Sequence, residues 1–127
     1  IIGAITPFHV FEPEEKIVKN TVDKINLTLR TYTSGYLRFE HDDYRGGKNP
    51  WPISTLWMYI YYKLLGEEEE ADKCFRFVID TATELGLLAE QVDNEKMESN
   101  WVIGLGWSHA MFILSLGLEE LKNRKID

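Results

Sequence analysis

Apolar residues recur at three-to-four spacing at Ile17, Val18, Val22, Ile25 and Leu29, predicting an amphipathic helix entered through an acidic, proline-containing stretch from Glu12. After Arg30 the pattern breaks at Thr33, Ser34 and Gly35. It stays polar through Glu40, His41, Asp42, Asp43 and Tyr44 to Gly46, Gly47, Asn49, Pro50 and Pro52, which predicts a long loop. Helix signal resumes near Ile53 and runs to Gly66 with Leu56, Trp57, Met58, Tyr59, Ile60, Tyr61, Tyr62, Leu64 and Leu65 on every face, the pattern of a helix buried all round. Glu67 to Glu70 then place negative charge where a helix N-terminus favours it. Ala71, Cys74, Phe75, Val78, Ile79 and Ala82 form the stripe of a second amphipathic helix ending near Gly86. A second long loop runs from Leu87 to about Gly106. The last helix is predicted from about Trp107 to Leu121, apolar on most faces until Glu119 and Glu120, with a solvated tail from Lys122 to Asp127.

The order is therefore amphipathic, buried, amphipathic, buried, which predicts an all-α fold of about four helices arranged as two outer/inner helical hairpins. A double ring of helices, an α/α toroid, demands that alternation. A simple four-helix bundle would show four similar stripes and connections of about two to eight residues. Gly35 to Phe39 and Leu87 to Glu90 could each add a short extended piece. No apolar run is long enough to span a bilayer, since Lys63 closes the longest aromatic-rich stretch and Ser108, His109 and Ser115 interrupt the last one.

Composition narrows the partners. The chain has 127 residues, 44% hydrophobic and 28% charged, the balance of one folded domain. Its net charge of -7 repels phosphate backbones and anionic headgroups, so neither nucleic acid nor a membrane surface is expected as a partner. The single Cys74, set in an apolar helical pattern, reads as a buried small side chain. The first residue is Ile, and Ile1 to Val10 lacks the features of a secretory signal, so the chain reads as one fragment, 1–127, of a longer protein, whose localisation this terminus does not reveal.

Both long loops precede the all-apolar helices, so they should emerge at the same end and meet. Arg38, Asp42, Asp43, Tyr44, Asn49 and Trp51 lie in the first; Glu90, Gln91 and Trp101 in the second; Trp107 starts the last helix. Carboxylates, amides and flat aromatic faces suit sugars, whose hydroxyls need paired polar partners and whose C–H faces pack on indoles.

Three strings then stand out: Gly-Gly-Lys-Asn-Pro-Trp-Pro at 46–52, Leu-Leu-Ala-Glu-Gln-Val-Asp at 87–93 and Trp-Ser-His-Ala at 107–110. Their order and spacing resemble family 15 of the glycoside hydrolases, the glucoamylase family, over about Pro7 to Leu118. The resemblance implies part of an (α/α)6 toroid, its C-terminal third, hydrolysing α-linked glucosides with inversion, one carboxylic acid protonating the leaving oxygen and one carboxylate activating water. It implies Glu90 as that general base, and Arg38, Tyr44, Asn49, Trp51, Gln91 beside the base, and Trp107 as substrate-binding positions. Arg38 would donate two parallel hydrogen bonds to adjacent hydroxyls. The family's general acid lies upstream of these residues, so the chain alone is expected to be catalytically silent. The substrate is expected to be an α-glucan oligosaccharide or an α-linked disaccharide, the glucoamylase, glucodextranase and trehalase types being undivided by this base string. No cofactor or metal is implied.

Other readings carry less. Asp42-Asp43 resembles the start of a terpene-cyclase metal motif, but no downstream aspartate completes it, and His9, His41 and His109 lack metal-site spacing. The glycine pairs near 46 and 104 follow no strand and precede no phosphate-loop Lys-Ser or Lys-Thr, and read as turns. Asn26-Leu27-Thr28 is a glycosylation sequon inside a predicted helix. A non-catalytic helical module binding carbohydrate or a protein partner is the alternative function. A partial ring should also expose a large apolar patch, so either self-association or cover by the remainder of the same polypeptide is expected.

Overall fold

A computed structural model describes residues 2–118; the predicted end of the last helix and the polar tail lie outside them. Four α-helices carry the fold, α1 (Lys16–Thr28), α2 (Pro52–Leu65), α3 (Glu68–Asp80) and α4 (Gly106–Leu116), with two short strands, β1 (Gln91–Val92) and β2 (Ser99–Asn100), and single 3-10 turns at Ile2–Ala4 and Tyr44–Gly46. The all-α expectation holds.

Helix α2 is the axis of the packing, set against both α3 and α4. Pro52 opens it where a missing N–H costs nothing, and Gly66, left-handed at φ 76°, closes it. One cluster joins Met58, Tyr61 and Tyr62 of α2 to Val18 and Val22 of α1 and to Ala71 and Cys74 of α3. A second joins Leu56 and Ile60 to Phe77 and Val78 of α3, to Leu88 and Val92 of the second loop, and to Met111 of α4. Cys74 is wholly buried, and that burial pushes its thiol up to about 12.

A buried polar latch ties the first loop to this core. The Tyr36 hydroxyl donates to Asn26 Oδ1 at 2.6 Å, and the Tyr62 hydroxyl donates to the same oxygen at 3.0 Å. Asn26, the sequon asparagine, thus faces inward from α1. The Tyr36 main chain donates to Thr55 Oγ1 at 3.0 Å and accepts from the Trp51 N–H at 2.8 Å, which fixes the loop across the start of α2. Arg30 and Glu70, 2.7 Å apart, bind the end of α1 to α3. Gly35 has no room for a side chain, since a Cβ there would meet Phe77 and Pro50 at 2.6 Å.

Three expectations are corrected. Helix α1 begins at Lys16, not near Glu12, because the Glu15 N–H bonds to the Glu12 carbonyl and the Glu15 carboxylate bonds back to the Glu12 N–H, a turn around Pro13. Helix α3 ends at Asp80, not near Gly86: the Thr81 hydroxyl takes the Phe77 carbonyl at 2.7 Å, and a separate turn from Thr83 closes on Leu87 through Gly86. Its inward stripe includes Phe77, while Ile79 is 46% exposed. The extended piece of the second loop falls at Gln91–Val92, paired with Ser99–Asn100 in a hairpin whose turn Asp93 caps through the Glu95 and Lys96 N–H groups. In α4 only Ser108, Met111 and Ser115 are buried, while Trp107, Ile113 and Leu116 face out, an apolar face of the kind expected of a partial ring.

Candidate active site

The two long loops do meet. The Asn49 amide donates to Gln91 Oε1 at 3.1 Å, the Val92 N–H donates to the Pro50 carbonyl at 2.9 Å, and the Trp101 indole N–H donates to the Tyr44 hydroxyl at 3.1 Å. The turn that lets the first loop reach across needs Gly47, left-handed at φ 65°, where a Cβ would run into the Asp42 carbonyl.

The Arg38 guanidinium lies over Trp51, its carbon 4.4 Å from the ring centroid. Its Nε and Nη2 donate side-on to the two Asp42 carboxylate oxygens at 3.0 and 2.9 Å. Burial opposes the charge on Asp42, but the Arg38 bonds and the Tyr44 N–H outweigh it and hold the carboxyl below its usual range. Trp51, buried to 2% exposure, sits between Tyr44, with centroids 6.2 Å apart, and Trp107 at 6.4 Å. The result is a continuous ladder of rings and guanidinium groups, extended at its outer end by Arg45 over the Trp101 indole at 3.4 Å. Tyr44, Trp101 and Trp107 are each more than a third exposed, so the ladder has an open edge.

Glu90 immediately precedes β1. Its N–H bonds to the carbonyls of Trp101 at 3.3 Å and Val102 at 3.2 Å. The residue is 8% exposed, and its Oε2 is buried without a hydrogen-bond partner among the described residues. Gln91 Nε2 is the same, although its Oε1 is held by Asn49. A carboxylate oxygen on Glu90 and an amide nitrogen on the next residue thus stay without a hydrogen-bond partner among the described residues, polar capacity that the fold leaves unused. Cavities of about 750 Å³ and 410 Å³ flank the first loop but are not lined by Glu90, Trp51 or Trp107. Among the described residues no three His, Cys, Asp or Glu side chains come together in a way that could hold a metal ion, and no helix is long and apolar enough to cross a membrane.

The structure thus brings Arg38, Tyr44, Trp51 and Trp107 into one cluster and joins Asn49 to Gln91 beside Glu90. Sequence reasoning placed Asp42 in the loop without its role as the counter-ion of Arg38, and gave no role to Arg45, Ser108 or His109. The four-residue separation of Arg38 and Asp42 pairs side chains on a helix; here a loop makes the pair, so spacing was no guide.

Comparison of sequences relates the chain, over most of its length, to glycoside hydrolases. It is 31% identical to an uncharacterized glycosyl hydrolase of Methanocaldococcus jannaschii across 90% of its residues. It is 32% identical to Trehalase 2 of Sulfolobus acidocaldarius across 87%. The chain spans about a fifth of the length of these relatives, 20% and 19% respectively. No family model and no solved structure matches it.

Proposed function

We propose that the chain is the C-terminal part of a glucoamylase-like, inverting α-glucoside hydrolase and that Glu90 is its general base. The observation that carries this reading is the Glu90 carboxylate, buried, with an oxygen that has no hydrogen-bond partner among the described residues, in a segment whose main chain bonds to that of Trp101. In the proposed step, a water attacks the anomeric carbon and gives its proton to Glu90. The glycosidic C–O bond breaks, and the leaving oxygen takes a proton from an acid elsewhere in the polypeptide. Asp42 does not serve as that acid, because Arg38 keeps it ionised. Trp51, Tyr44 and Trp107 wall the sugar, Asn49 and Gln91 bind hydroxyls, and Arg38 meets substrate through its Nη1 side, its other edge being held by Asp42.

The chain's share of its relatives' length supports a longer polypeptide, here proposed as an (α/α)6 toroid, whose remaining helices supply the acid and cover the open face of α4. Because one relative is called a trehalase, trehalose stands beside maltose and isomaltose as a first substrate to assay. The test is glucose release by the full-length polypeptide and its Glu90→Gln variant, with the anomer first released read by proton NMR. Turnover of one linkage yielding β-glucose, lowered by about 10³-fold or more in the variant, is expected. Full turnover by Glu90→Gln moves the base elsewhere, and no turnover on any linkage favours the non-catalytic binding module.

A further inference from the structure

The Trp-Ser-His-Ala string contains two side chains to which substrate binding gives no task. Ser108 is wholly buried, and its hydroxyl donates to the Ala89 carbonyl at 2.9 Å. His109 puts one ring nitrogen on each of two backbone segments: Nε2 accepts the Leu88 N–H at 3.2 Å, and Nδ1 lies 2.9 Å from the Leu105 carbonyl. A carbonyl only accepts and an amide N–H only donates. Both bonds are therefore made by one form of the ring, neutral with its proton on Nδ1. The Leu88 carbonyl in turn accepts from the N–H groups of Gly104 and Leu105 at 2.9 and 3.1 Å. Together with the Glu90 N–H bonds to Trp101 and Val102, every residue from Leu88 to Glu90 is fastened to the first turn of α4 or to the loop that feeds it.

We propose that His109 and Ser108 are positioning residues for Glu90. The Glu90 Oε2 atom has no hydrogen-bond partner among the described residues, so the carboxylate takes its place from its main chain, and the two residues that lead into it, Leu88 and Ala89, are clamped to α4 by these two side chains. A displacement of about 1 Å is enough to lower a rate by about 10²-fold. The inference rests on Glu90 being the base, and it adds that the base is indexed by a helix rather than by its own loop.

The experiment uses the full-length polypeptide with His109→Phe, His109→Gln and Ser108→Ala. Each variant is assayed for kcat and KM on the wild-type substrate and for amide hydrogen exchange at Leu88. Glutamine can accept from Leu88 and donate to Leu105; phenylalanine can do neither. The expected result is a kcat lowered by about 10²-fold in His109→Phe at nearly unchanged KM, an intermediate Ser108→Ala, and recovery of most of the loss in His109→Gln. Leu88 exchange should be at least about tenfold faster in His109→Phe and close to wild type in His109→Gln. Should His109→Phe fail to fold, Ser108→Ala decides by the same split of kcat from KM. Wild-type kcat in His109→Phe, a change confined to KM, or a loss that His109→Gln does not relieve overturns the proposal. A failed clamp leaves Glu90→Gln inactive and His109→Phe active; a failed base assignment leaves Glu90→Gln active, while Leu88 exchange still reports whether the clamp exists.

Discussion

Helices α2 and α4 are both built mainly from large apolar residues, yet they occupy opposite situations. Every residue from Pro52 to Leu65 is at least partly buried, and Leu56, Met58, Ile60, Tyr61 and Tyr62 fill the centre of the molecule. In α4 the buried positions include the small, polar Ser108 and Ser115, while Ile113 is 69%, Leu116 54% and Trp107 52% exposed. The difference shows that apolar content describes the surroundings a helix requires, not the neighbours it has in a given stretch of chain. Small residues let α4 approach its neighbours closely, and its bulky side faces out as an apolar patch.

The sharpest way to break this comparison is a pair of truncations. Leu56→Ala in α2 should lower stability by about 2–5 kcal/mol, whereas Ile113→Ala in α4 should change it by about 0.5 kcal/mol or less, both read from urea unfolding. Equal losses would mean that α4 is covered in the chain as it stands. The next effect concerns the exposed side. The 127-residue chain is expected to self-associate at tens of micromolar, and Ile113→Lys, by removing about 1.5–3 kcal/mol of burial, should shift sedimentation toward monomer. A monomer before and after the substitution would remove the patch from consideration.

A smaller effect tests the latch that joins the first loop to the covered side. Tyr36→Phe removes the 2.6 Å bond to Asn26 but leaves the Tyr62 bond to the same oxygen, so a loss of about 1 kcal/mol is expected in the same unfolding experiment. The smallest is a pH effect at the site. Asp42 is held below its ordinary value of 3.8 in the fold, so its contribution is present above that value and is lost as pH falls through the lower, folded value. Asp42→Asn should therefore narrow the stability gap to wild type only below pH 3.8, and a gap that closes well above it would contradict the Arg38 clamp.

How much was legible follows from how local each feature is. The span of α2 was readable almost to the residue, since Pro52 and Gly66 punctuate an unbroken apolar run. The ends of α1 and α3 were not, because side chains such as Glu15 and Thr81 bond to nearby backbone and stop a helix whose apolar spacing continues. At the candidate site, Asn49, Trp51, Glu90 and Gln91, named from the strings at 46–52 and 87–93, fall on the meeting segments, and Trp107, from the string at 107–110, lies in the first turn of α4. The pairings of Asp42 with Arg38, Trp101 with Tyr44 and His109 with Leu88 did not announce themselves. Bonds that span 57 and 21 residues leave no spacing signature.

By itself the amino-acid order determined the helical class, the four helices, the placement of both long loops ahead of the two apolar helices, and the burial of Cys74. All of these follow from periodicity and from local backbone preference, which act within a few residues. Only the tertiary structure decided which face of α4 is covered, that Asn26 points inward to two tyrosines, that Asp42 occupies one edge of Arg38, and that the Glu90 segment is fastened to α4. Those outcomes depend on which surfaces come into contact after the loops close, and contact between distant segments is set by packing in space rather than by separation along the chain.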